Sequence, residues 1–67
     1  MSVAKVTEIT STSQTSFEDA INKGIARANK TLRNLKGAWI QSMKIDIDDG
    51  EITAYRVDMK VTFVLND

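Results

Sequence analysis

Trp39, the only tryptophan of this 67-residue chain, stands in the run Ala38-Trp39-Ile40-Gln41-Ser42-Met43-Lys44-Ile45-Asp46-Ile47. An indole presents a flat apolar face, so its chemistry is packing against another protein surface or stacking on a planar ligand. Left in water it forfeits burial of roughly 150 to 250 Å² at about 25 cal/mol per Å², an upper bound comparable to the whole stability of a small domain. Interface packing is the leading reading of Trp39 and ligand stacking the second. A second cluster is acidic: Asp46, Asp48, Asp49 and Glu51 crowd one turn, and hard cations such as Ca²⁺ or Mg²⁺ take oxygen ligands. That segment is too short for a complete EF-hand loop, and Asp-Gly turns need no metal, so a plain turn is favoured and no metal site is expected.

Catalytic arrangements are harder to find. Glu8, Asp19 and Tyr55 can in principle transfer protons, but nothing places a nucleophile beside a base. Cysteine and histidine are both absent, which removes disulfides, thiolate or imidazole metal sites and every nucleophilic mechanism built on either residue. The hydroxyl-rich stretch Ser11-Thr12-Ser13-Gln14-Thr15-Ser16 lacks the glycines of a phosphate cradle and reads as a loop. No enzymatic activity is expected.

The nine basic and nine acidic residues cancel, so neither a strong nucleic-acid field nor a polybasic membrane anchor is expected. Lys23, Arg27, Lys30 and Arg33 read as a solvated or intersubunit face. No apolar run approaches the roughly 18 residues of a membrane span, and Met1-Ser2-Val3-Ala4-Lys5 lacks the apolar core of a signal peptide, so a soluble cytoplasmic protein is the expectation. Residues 1–67 make one domain, near the size where a core barely offsets about 1.5 kcal/mol per residue of ordering entropy. Oligomerisation is the supplement that remains.

The elements that hold these residues follow from patterning. Val3 to Thr10 read as a strand, with a loop over residues 11–15. Ser16 before Phe17, with Glu18 and Asp19 next, starts a helix, because its hydroxyl can accept from free N–H groups while the acids favour the positive end. Phe17, Ala20, Ile21, Gly24, Ile25, Ala28, Leu32 and Leu35 form its apolar stripe. A helical glycine costs about 1 kcal/mol relative to alanine, so Gly24, between Ala20 and Ala28, predicts close approach of helix to sheet. Gly37 marks the helix exit, with a left-handed Asn34 as the alternative.

Strands over residues 38–47 and 51–65, joined by Asp48-Asp49-Gly50, form a hairpin. In the second, Tyr55, Val57, Met59, Val61, Phe63 and Leu65 alternate with Arg56, Asp58, Lys60 and Thr62, and the odd positions face the helix. In the first, alternation puts Trp39, Met43, Ile45 and Ile47 on one face and Ala38 and Ile40 on the other. Three- and four-residue loops differ by one step of register; the preferred register places Ala38 and Ile40 under the helix and Trp39 outside with Arg56 and Lys60. For Arg56 and Lys60 themselves, charge pairing with Asp58 or a neighbouring subunit is the simplest role. The expected architecture is α+β, β-α-β-β, with a three-stranded antiparallel sheet around one helix. One helix cannot cover two apolar sheet faces, so one face should bury against other copies.

Several stretches, Ser16-Phe17-Glu18-Asp19-Ala20-Ile21, Ala26-Arg27-Ala28, Lys30-Thr31-Leu32-Arg33-Asn34-Leu35 and Tyr55-Arg56-Val57-Asp58-Met59-Lys60-Val61-Thr62-Phe63, resemble the dodecins, small flavin-binding proteins, in order, spacing and total length. The resemblance implies a hollow homododecamer with ligand pockets between subunits, and a noncatalytic storage role for riboflavin, FMN or FAD. It also marks two departures. The family's flavin-stacking tryptophan falls on Gly37, two residues before Trp39, and its ring-edge glutamine falls on Arg56. Trp39 then becomes the candidate for stacking, Arg56 for polar contacts to ring or phosphate, and Lys44, near the family's basic pocket position, for phosphate. The alternative implied by those departures is a dodecin-like shell that has lost flavin and binds cations or another small ligand.

Overall fold

A computed structural model describes residues 3–65. The order is β1 (Ala4–Ser13), α1 (Phe17–Thr31), β2 (Leu35–Asp48) and β3 (Glu51–Val64), in one antiparallel sheet with β3 between β1 and β2. The two 14-residue strands of the hairpin set a long axis of 51 Å.

β1 runs on to Ser13 where a loop was expected, and Ser13 explains it. Its buried hydroxyl donates to the Asp19 carboxylate and accepts from the backbone N–H of Thr15 at 2.9 Å and of Ser16 at 3.4 Å. One side chain thus satisfies the backbone through which the strand turns into the helix. Ser16 caps α1, its Oγ accepting from Asp19 N–H at 2.9 Å.

The helix ends at Thr31, earlier than the apolar stripe suggested. Leu32 N–H still reaches Ala28 O at 2.9 Å, and Asn34 then takes the left-handed conformation at φ 62°. Asn34 is held there by β3: its carbonyl accepts from Val64 N–H at 3.1 Å and its side-chain amide donates to Val64 O at 3.4 Å. The exit is therefore Asn34, and Gly37 lies within β2. At the other end of the hairpin Asp48 pairs with Glu51, leaving a two-residue turn of Asp49 (φ 52°) and Gly50 (φ 77°), tighter than the loops expected.

The core lies between α1 and the β1–β3 pair. Ala20, Val57 and Met59 are fully buried, with Ile9, Phe17, Ile21 and Ile25 packed around them, and the Phe17 ring meets Tyr55 edge-on at 5.2 Å. The close approach read from Gly24 is present: a Cβ there would stand 2.5 Å from Met59 Cε and 3.0 Å from Ser11 Cβ.

β2 is where the alternation pattern fails. Ala38 pairs with Val61 and Ile40 with Met59, on the helix side, while Trp39 sits opposite Lys60 on the outer side, the register preferred above. Gln41 is then an extra residue in a β-bulge, and a bulge shifts the alternation by one. Met43 and Ile45 consequently pair with Val57 and Tyr55 and join the side of Ala38 and Ile40, instead of sharing a face with Trp39. Period-2 counting carries no sign of such an insertion. The helix packs on β1 and β3, so β2 projects beyond its cover. Ile40, Met43 and Ile47 stay exposed on this strand, as does Trp39, so apolar surface is open on both faces of the hairpin, as expected, though differently apportioned.

Candidate functional site

The sheet face away from α1 is built in rows across the three strands. Glu8, Lys60 and Trp39 form one row; Thr10, Asp58 and Ser42 the next; Thr12, Arg56 and Lys44 the third. Trp39 projects from the edge strand with 64 % of its surface exposed. Beside it, toward Gly37, lies a shallow hollow of ≈ 330 Å³ bordered by Lys36, Gly37, Ala38, Trp39 and Thr62. A side chain at Gly37 would meet nothing within 4 Å. The hollow is thus open on the outer surface at the position where the sequence resemblance places a tryptophan.

Of the three candidate residues, the fold brings two together. Lys44 and Arg56 are cross-strand partners. Trp39 stands two rows away, about 13 Å along the strand at roughly 3.3 Å per residue, with the Asp58 row between. Asp58 was expected to pair with Arg56 or Lys60. Instead its two carboxylate oxygens accept from the hydroxyls of Thr10 and Ser42, each at 2.9 Å, tying all three strands together. Arg56 turns to Asp46: its Nη2 donates to Asp46 Oδ2 at 2.8 Å, and Lys44 Nζ lies 4.0 Å from Asp46 Oδ1. The Arg56 Nε is shielded from solvent and has no partner among the described residues.

Asp46 as partner of this pair was missed because it was counted with the acidic turn. The signal was local, since Lys44 and Asp46 are two apart on a strand and emerge on the same side. Of the other acids there, Asp48, Asp49 and Glu51 are exposed around the turn, and among the described residues no three carboxylates gather as a ligand set. The residues considered for proton transfer are likewise dispersed. Asp19 is held by Ser13 and by Lys23 at 3.0 Å, Tyr55 packs on Phe17, and Glu8 lies on the outer face opposite Lys60.

Hydrogen bonding explains the electrostatics. The hydroxyls of Thr10 and then Ser42 hold the Asp58 carboxyl below its ordinary value, helped by the charge of Arg56. Asp46 is lowered chiefly by its bond from Arg56, whose own value is raised by the same contact. Asp19 is lowered by Ser13 and Lys23. A carboxyl whose folded value lies below its unfolded one stabilises the fold above the unfolded value, and that contribution fades as pH falls through the folded one. With no histidine in the chain, the urea midpoint is expected to stay level from about pH 5.5 to 7.5 and to fall on acidification below about pH 4. A midpoint that rises toward pH 3 would contradict these contacts.

Comparison with known proteins agrees with this architecture. The family model described as Dodecin matches residues 3–66. The dodecin of Thermus thermophilus is 34% identical over 65 residues, covering 97% of this chain and 94% of that protein. A protein named calcium dodecin, from Mycobacterium tuberculosis, is 32% identical over 63 residues, covering 94% and 89%. Among solved structures, the dodecin of Streptomyces davaonensis superposes with a TM-score of 0.93 at 36% identity, over 98% of this chain and 97% of that one. The β-α-β-β order and antiparallel sheet match the solved dodecins, the family model spans nearly every residue, and the chain belongs to the dodecin family.

Proposed function

We propose that this chain is a noncatalytic binding and storage protein, a cytoplasmic hollow homododecamer whose pockets between subunits hold flavin. The carrying observation is Trp39, a lone aromatic on the outer face of an edge strand with 64 % of its surface exposed. Such a surface gains most by stacking, on a ring or on a neighbouring copy. In this reading Trp39 stacks on the isoalloxazine, while Arg56 and Lys44 of the same face, or of a neighbouring copy, supply polar and phosphate contacts. No helix among the described residues is long and apolar enough to cross a membrane. Apolar side chains open on both sides of the hairpin support self-association.

The test is a titration of the purified oligomer with riboflavin and FMN. Stacking is expected to quench flavin and Trp39 emission together at micromolar protein. An intact oligomer that quenches neither rejects flavin storage.

A second reading has its own observation. Arg56, at the position where the family resemblance places a ring-edge glutamine, is engaged with Asp46. A shell in which this contact is permanent has lost the flavin site and takes cations or another small ligand, a direction supported by the relative named calcium dodecin. Calcium would then raise the melting temperature of the oligomer and a chelator lower it.

A further inference from the structure

Lys44 and Arg56 put two positive charges side by side on the outer face, and one carboxylate, Asp46, faces both. Its contact with Arg56 is direct at 2.8 Å; Lys44, at 4.0 Å, is too far for a hydrogen bond. Asp58, the other anion near Arg56, has both oxygens engaged by Thr10 and Ser42. The group of Lys44, Arg56 and Asp46 therefore keeps a surplus positive charge, an incompletely used ammonium and an unpartnered Arg56 Nε.

We propose that Asp46 is an internal anion occupying the place of a ligand phosphate, and that it sets how strongly this site prefers a phosphorylated planar ligand over its neutral form. The inference rests on the flavin reading of this face. A phosphate carries about −1.5 to −2 charge and three acceptor oxygens, enough to engage a guanidinium and an ammonium together. A single carboxylate at these distances engages one. In this proposal phosphate takes the Arg56 Nη2 contact that Asp46 holds, and the work of displacing the carboxylate lowers affinity for the phosphorylated ligand. A neutral ligand stacking on Trp39 has no need to displace it. Asp46 is thus a specificity-determining residue acting through Arg56 and Lys44.

The experiment titrates the full-length oligomer and its Asp46→Asn and Arg56→Gln variants with FMN and riboflavin at low salt, assembly being checked by light scattering. Asp46→Asn is expected to raise the FMN-to-riboflavin affinity ratio by up to about fivefold, the upper end for one exposed ion pair, while Arg56→Gln lowers it. An unchanged ratio in Asp46→Asn overturns the proposal. Inorganic pyrophosphate, followed by chemical shifts of the Arg56 and Lys44 side chains, decides the matter without flavin. Tighter pyrophosphate binding in Asp46→Asn supports the displaced anion even where neither flavin binds and flavin storage has failed. Equal or absent pyrophosphate binding in both proteins overturns it. If Asp46→Asn does not assemble, Asp46→Ser takes its place, and in the unaltered protein the FMN advantage must shrink as salt rises.

Discussion

Met59→Ala is expected to destabilise the fold by about 2 to 5 kcal/mol, read as a lower urea midpoint at unchanged slope. Met59 is fully buried at the centre of β3, beneath Gly24 of the helix and beside Val57. A core resting on so few residues has little with which to refill the space. The same contact gives a sharper test through Gly24→Ala. Alone, that change gains about 1 kcal/mol of helix propensity but drives a methyl group into Met59 Cε, an overpacking that typically costs about 1 to 3 kcal/mol. Combined with Met59→Ala, the added methyl enters the vacated space, with Ser11 Cβ at 3.0 Å as its remaining close neighbour. The double variant should therefore be more stable than Met59→Ala alone, and strictly additive effects would show that helix and sheet do not meet at this point.

Trp39→Ala should have the opposite profile, with a large effect on binding and a small one on the fold. The indole is mostly exposed, so the stability of the subunit should change by no more than about 0.5 kcal/mol. Stacking of a flat heterocycle on an aromatic side chain contributes about 1 to 3 kcal/mol, so flavin affinity should fall roughly tenfold or more, with Trp39→Phe losing less. Flavin fluorescence measures the affinity and light scattering the state of assembly. Loss of the oligomer in Trp39→Ala, in a protein that never bound flavin, would assign the residue to subunit packing instead.

The sequence carried the elements better than their edges. Ser16 with Glu18 and Asp19, the Asp49-Gly50 turn, and the alternation from Tyr55 to Phe63 are local signals, and each element lies where its own residues place it. The helix exit depends on a distant partner, Val64 for Asn34, which no local window of sequence contains, whereas the strand end at Ser13 turns on Asp19, six residues on, a pairing that the hydroxyl-rich run around Ser13 does not single out. The bulge at Gln41 had no marker such as glycine, so the faces of Met43 and Ile45 were read inverted. At the site, Lys44 and Arg56 were recognised as basic candidates through the resemblance. Their joint contact with Asp46 became visible once the hairpin register was fixed.

The strand order has a temporal consequence. β1, the first element translated, has a single neighbour in the sheet, and that neighbour is β3, the last. Ala4 meets Val64 and Ser13 meets Tyr55, so β1 must wait, unpaired, until β3 has left the ribosome. The β2–β3 hairpin, closed by its two-residue turn, needs no such wait and can serve as the template onto which the nascent N-terminus finally zips.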